Sequence, residues 1–257
     1  MRFSVFKELV KQSFREFLIY RTTAILTVVF SIMFYLIEVI TGIVYFSFTD
    51  RIFDWTRRDY MILITTANII QMGYQFFFVA SHEGLEEAVI EGDLDYSLIR
   101  PVNSFWFYAF NRLDIPSVIG IIVSVIFQCY FFSSMKLSFF NVMMYSFGII
   151  LGIWFLFLVN QNIVMLSFWL EKSGKLIGIP EYIFEMVSRP QSIYPNKMVL
   201  ILTYILPFFV SVNYPIDALH GKFSLSGTVM YILYLLVLTF ITYNIWNKGL
   251  QKYASSN

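Results

Sequence analysis

The residues with the most chemistry to offer lie between Glu83 and Asp95. Glu83, Glu86, Glu87, Glu91, Asp93 and Asp95 are acidic with no basic residue among them, in a chain of which only 14% is charged. Carboxylates at that density can gather a cation, exchange protons or face a basic partner. His82 and His220 stand in separate loops without Cys or His neighbours at ligand spacing, and the single Cys129 lies inside an apolar run. Neither a metal site nor an internal disulfide follows from such a set. Leu85, Val89 and Ile90 add a narrow apolar stripe, so Glu83 to Leu94 reads as a short helix bracketed by Gly84 and Gly92. Glu91-Gly92-Asp93 and Arg100-Pro101 are turn material, and Pro101 bars a helix from running through Arg100. A firm acidic helix suits a groove on a soluble partner, with charge fixing its orientation. A merely solvated loop is the plainer reading.

A second polar group sits among apolar residues. Glu38 is the only carboxylate deep inside an apolar run, and Thr65, Asn68, Gln71 and Gln75 form a stripe along one helix face. At 1.5 Å rise per residue, Glu38 and Asn68 both fall ~12 Å from the same boundary, so they could meet. A carboxylate in lipid is costly and finds a partner or a watered path. These residues read either as interhelical hydrogen bonds holding a bundle or as the lining of a translocation path.

The elements that position both groups are membrane spans. Of the 257 residues, 58% are hydrophobic and 20% aromatic, above the usual apolar share of a soluble domain. The formal charge of +1 favours neither nucleic acid nor acidic substrates. Six apolar segments are long enough to cross a bilayer: about Thr22–Phe46, Tyr60–Ala80, Ile115–Ser133, Phe140–Leu166, Met198–Pro215 and Thr228–Trp246. The fifth contains Pro207, which removes a backbone donor and should kink or break it. Trp106 and Tyr108 suit a headgroup belt. Gly148 and Gly152, four apart, allow close helix packing.

Orientation follows from the basic residues. Thirteen of the 18 Lys and Arg fall on one side if the N-terminus is inside, which places both termini and the acidic segment in the cytoplasm. Residues 1–21 form an amphipathic lead whose Phe3, Phe6, Val10, Phe14 and Phe17 share a face, suited to the inner membrane interface. The first long apolar run continues too far for a signal peptide. With no repeat and no linker, residues 1–257 read as one membrane domain.

Three stretches carry a family resemblance. "EGDLDYSLIRPVN" is similar to the Gly-x-Leu-Asp-x-x-Leu-x-Arg-Pro pattern of bacterial ABC-2 transporter permeases. "RPQSIYPNKMVLILTYILPFFVSVNYP" resembles that family's Pro-x-x-Ile-Tyr-Pro … Leu-Pro-x-x-Phe … Tyr-Pro segment, and "IWNKGLQKYASSN" its Trp-x-x-Gly-Leu-x-x-Tyr ending. "SVNYP" departs from the pattern, which has two aromatic residues before the proline. The resemblance implies an all-α integral membrane protein of the ABC-2 (type V exporter-like) permease type. Its six transmembrane helices would carry an N-terminal interfacial helix (1–21), a cytoplasmic coupling loop (82–103) and a re-entrant outer segment (207–227) after the fifth span. Partners implied are a cytoplasmic ABC ATPase dimer and a second permease, a paralogue or another copy of this chain, in a bacterial cell membrane. Glu83, Leu85, Glu86, Val89, Ile90, Gly92, Asp95, Arg100 and Pro101 would couple to the ATPase.

The chain has no Gly-x-x-x-x-Gly-Lys-Ser/Thr loop; "EKSGKLIG" lacks the glycine spacing. No cofactor is expected in this chain, and ATP would be bound and hydrolysed by the partner ATPase. The expected function is the permease of an ATP-driven exporter of a small or amphipathic compound or peptide. The alternative is a proton- or ion-coupled carrier using Glu38, although paired inverted repeats with broken helices are missing. A membrane-embedded enzyme lacks any convergent nucleophile, base or metal set.

Overall fold

Long apolar runs with few charges leave the backbone one solution in lipid, the internally bonded helix. The computed structural model describes residues 3–98, 101–170, 176, 178–222 and 224–254. In chain order the helices are α1 (Phe3–Ile19), α2 (Arg21–Phe48), α3 (Arg57–Tyr74), α4 (Ala80–Glu91), α5 (Leu94–Leu98), α6 (Ser104–Ala109) and α7 (Pro116–Phe132). They continue with α8 (Phe139–Val164), α9 (Ile179–Val187), α10 (Asn196–Leu200), α11 (Phe208–Leu219) and α12 (Leu225–Ala254). A two-stranded hairpin, β1 (Arg51–Ile52) and β2 (Trp55–Thr56), joins α2 to α3.

All six apolar segments fall on helices, but they do not qualify equally. Arg21–Phe48, Arg57–Glu91, Phe139–Phe168 and Leu225–Tyr253 are each long and apolar enough to cross a membrane. A fifth crossing exists if Asn196–Ile205 and Phe208–Leu219 are taken together, and these are bent by 83° at Leu206–Pro207. The third segment, α7, has only 17 residues.

The second span departs most from expectation. It does not stop at Ala80. A π turn at Gln75–Val79 joins α3 to α4, giving one helix of 35 residues from Arg57 to Glu91. At 1.5 Å per residue it is about 52 Å long, roughly 20 Å more than a hydrocarbon core. The excess matches α4, which therefore projects from one end of the bundle.

α3 is the central post, with thirteen of its residues buried, whereas α2 is a rim helix that buries Ala24, Tyr35, Val39, Gly42 and Phe46 and exposes most of its other apolar side chains. Gly148 and Gly152 let α11 and α3 lie tightly on α8. A Cβ on Gly148 would come within 2.8 Å of Tyr214, and one on Gly152 within 2.9 Å of Ile70. At one end of the bundle Asp59 meets His220 at 3.3 Å, Asn141 donates to the Leu219 carbonyl at 3.1 Å, and Arg58 donates to Ser134 at 3.5 Å. The opposite end holds α1, α4, α5, α6 and the C-terminal turns of α12.

α1 keeps Lys7, Lys11 and Arg15 on its exposed side, as its sequence predicts, but its inward face is set differently. Among its described side chains Leu9 and Ser13 are buried, while Phe14 is exposed. The cause is a polar latch: Ser13 Oγ accepts the Leu113 amide at 2.9 Å and Glu16 pairs with Arg112 at 2.9 Å.

Candidate functional site

The acidic segment is the projecting end of the second span, not a separate loop helix. Because α4 continues α3, its phase is set by packing inside the bundle. Ser81, His82 and Leu85 point inward, and Leu85 is 2% exposed. Val89 is half-buried against the same core. Glu83, Glu87 and Glu91 point outward with Ile90, which is 60% exposed. The expectation that Leu85 and Val89 would be anchors for a partner is therefore corrected: they seat α4 on its own protein, and Ile90 alone of the three is free. Glu86 is half-buried, and Gly84 lies within the helix and does not bracket it.

Gly92 ends the helix. Its φ of 82° is left-handed, a conformation that favours glycine, and the Asp95 amide bonds back to its carbonyl at 3.4 Å. Asp93 and Asp95 are exposed, and Leu94 is completely buried. Arg100 lies outside the described residues. After Pro101, Asn103 caps α6, its side chain accepting the Trp106 amide at 3.2 Å.

A brace for this turn comes from the C-terminus. Trp246, Gly249 and Tyr253 recur at three and four residues on one face of α12. Trp246 is fully buried, packs edge-on to Phe105 and Phe168, and donates from Nε1 to Ser104 Oγ at 3.1 Å. Gly249 lies so close to Phe168 that a Cβ would sit 2.2 Å from the ring. Tyr253 is buried beside Gly92. The described parts of two of the sequence patterns, 91–98 with 101–103 and 245–254, thus form one structure. Tyr108 and Trp106 belong to it as well. Tyr108 is buried against Trp246 and so is no part of a headgroup belt, and the half-buried Trp106 stacks on Trp154.

His82 is also misplaced by sequence reasoning. It is buried inside the continuous helix and stacked on Phe157. Gln161 Oε1 lies 3.0 Å from Nε2 and the Tyr74 hydroxyl 2.9 Å from Nδ1, so both ring nitrogens have hydrogen-bond partners. The three groups satisfy one another where α4 meets α8.

Glu38 and Asn68 do not meet. Glu38 lies 3.8 Å from Arg189, whose pairing 151 positions along the chain no local pattern announces. Asn68 donates to Ser124 at 2.6 Å, and Thr65 shares a hydrogen bond with Tyr35 at 3.0 Å. Gln71 and Gln75 continue the face, half-buried. Thr65 and Asn68 therefore tie α3 to α2 and α7, each tie worth roughly 0.6–2 kcal/mol in a membrane.

This architecture is that of a multi-pass α-helical membrane protein. Residues 30–257 match the family model described as ABC-2 family transporter protein, so the chain belongs to that family and is an ABC transporter permease. No curated protein and no solved structure matches the chain.

Proposed function

We propose that this chain is the transmembrane subunit of an ATP-driven exporter, powered by a separate cytoplasmic ABC ATPase that docks on the acidic end of α4. Six spans, with α7 short and the fifth broken at Pro207, put both termini and α4 in the cytoplasm of a bacterial cell. A second permease, a paralogue or another copy, completes the transporter. Its cargo is a small or amphipathic compound or peptide. ATP stays with the partner, and this chain contributes motion.

One observation carries the reading: the docking face and the central span are a single helix. A closing ATPase dimer that displaces Ile90 and its carboxylates pushes directly on α3, and α3 touches α2, α7, α8 and α11. Bistable packing of such helices is how a small displacement becomes a change of access. The Trp246 brace and the Ser13–Leu113 latch hold the surrounding turns so that force enters α3 and is not lost in loop motion. Glu83, Glu87, Glu91 and Asp95 would face basic residues on the partner, with Gly92 and Pro101 shaping the turn and Arg100 assigned to its return. The ion pair between Glu38 and Arg189 weighs against a proton carrier built on Glu38.

The test is purification of the tagged chain from native membranes. The expected result is a copurifying ABC ATPase whose hydrolysis is stimulated by the permease, and transport abolished by vanadate but insensitive to protonophores. Transport by the chain alone, driven by a proton gradient, would replace this reading with the carrier.

A further inference from the structure

The bend at Pro207 opens a space far along the chain from the acidic end of α4. α11 turns away from the preceding helix by 83°, and between these two elements and the first turns of α12 lies a cavity of 440 Å³. Its walls are pinned: Tyr234 donates to the Ile205 carbonyl at 3.0 Å, and Thr228 to the Tyr214 hydroxyl at 3.2 Å. Phe209, Val210, Tyr214 and Met230 give it a mainly apolar lining.

Set into that lining are polar atoms that find no hydrogen-bond partner among the described residues: both amide atoms of Asn213, the Thr203 hydroxyl and the Tyr231 hydroxyl. Tyr231 is 4% exposed. Buried polar groups are nearly always satisfied, and each one left unpaired is destabilising. Four such atoms lining one apolar cavity, on three separate elements, are the pattern of a ligand site with a few polar groups that fix orientation.

We propose that this cavity is a binding site for an amphipathic molecule with an uncharged, hydrogen-bonding head, held by Asn213, Thr203 and Tyr231. The head is uncharged because Asp217 and Lys222, which also line the cavity, answer each other's charge and leave none unpaired for an ionised head, which would be desolvated without a counter-charge. Asn213 offers both a donor and an acceptor, and each hydroxyl can do either. That combination matches a diol, an ester or an amide. The apolar tail lies along Phe209, Val210, Tyr214 and Met230. Two sources supply this chemistry, a neutral lipid of the bilayer or the cargo itself. The site stands apart from the ATPase reading, which could fail without affecting it.

The experiment photolabels the full chain in nanodiscs with three diazirine probes sharing one acyl chain: a monoacylglycerol, a fatty acid and a lysophosphatidylcholine. Labelled residues are mapped by mass spectrometry. The expected result is that the monoacylglycerol labels residues 203–234 at least about fivefold more than either charged probe. Tyr231→Phe, which keeps the ring and its packing, should lower that labelling about fivefold, one hydrogen bond's share, and Asn213→Leu should lower it further. Labelling indifferent to head group, or unchanged in Tyr231→Phe protein of unaltered melting temperature, would overturn the proposal. In the assembled transporter, loss of labelling with ATP and vanadate identifies the occupant as cargo, and retention identifies a resident lipid; both support the site.

Discussion

Ile90→Ala separates docking from folding. Full burial of an isoleucine side chain is worth about 1.5–3 kcal/mol, and 60% of Ile90 is still exposed in the free chain. Covering the rest in a partner groove would contribute about 1–2 kcal/mol, of which alanine retains roughly a quarter. The expected loss is therefore about 1 kcal/mol, or a three- to tenfold weaker association with the ATPase. Alanine is the best helix former, so α4 itself is not weakened. Leu85→Ala, one and a half turns away, should do the opposite. Leu85 is 2% exposed, and truncating it costs about 2–5 kcal/mol of stability through the cavity left behind, with a lower melting temperature. The assay is titration of the purified ATPase onto permease in nanodiscs, with thermal melting run alongside. If Ile90→Ala binds as the parent does while Leu85→Ala abolishes binding without lowering the melting temperature, the orientation assigned to α4 is wrong.

Other outcomes follow from particular contacts. Glu87→Gln should weaken ATPase association modestly and only at low salt, because exposed charges are screened over about 8 Å at physiological ionic strength; titration at two salt concentrations checks this. Trp246→Ala should cost about 3–5 kcal/mol, and Gly249→Ala about 1–3 kcal/mol through the clash with Phe168, both read by thermal melting and by proteolysis near Gly92. Glu38→Gln should reduce stability more than transport, and a transport rate lost without loss of assembly would restore the pathway reading. Cysteines at Ser47 and Ser224 should react with an impermeant reagent from outside intact cells, and one at Glu87 should not.

The long helices were legible because lipid demands apolar runs, and Leu225–Tyr253 or Arg21–Phe48 can be read directly as such. The acidic segment was legible only in part. Its acidic density and terminal glycine were visible, but the phase of α4 is inherited across a π turn from a span whose own packing is long-range. A stripe of Leu85, Val89 and Ile90 on an isolated helix gives no way to tell which side meets protein. His82 looked like a loop residue for the same reason, since the apolar run ends before the helix does. Trp246, Gly249 and Tyr253 stood out only through the family-like ending, and their partners at Gly92, Ser104 and Phe105 lie more than a hundred residues away. Polar pairings such as Glu38 with Arg189 leave no trace in periodicity at all.

In the proposed transporter an ATPase grips this permease at the projecting end of the second span. Site-specific photocrosslinking in native membranes tests it most directly, with a photoreactive amino acid at position 90 or 87 and a control at position 224. A single ABC ATPase should be captured from positions 90 and 87 and not from 224, with the yield changing when ATP and vanadate are added. Capture of no ATPase at either inner position, in protein that is folded and inserted, would contradict it.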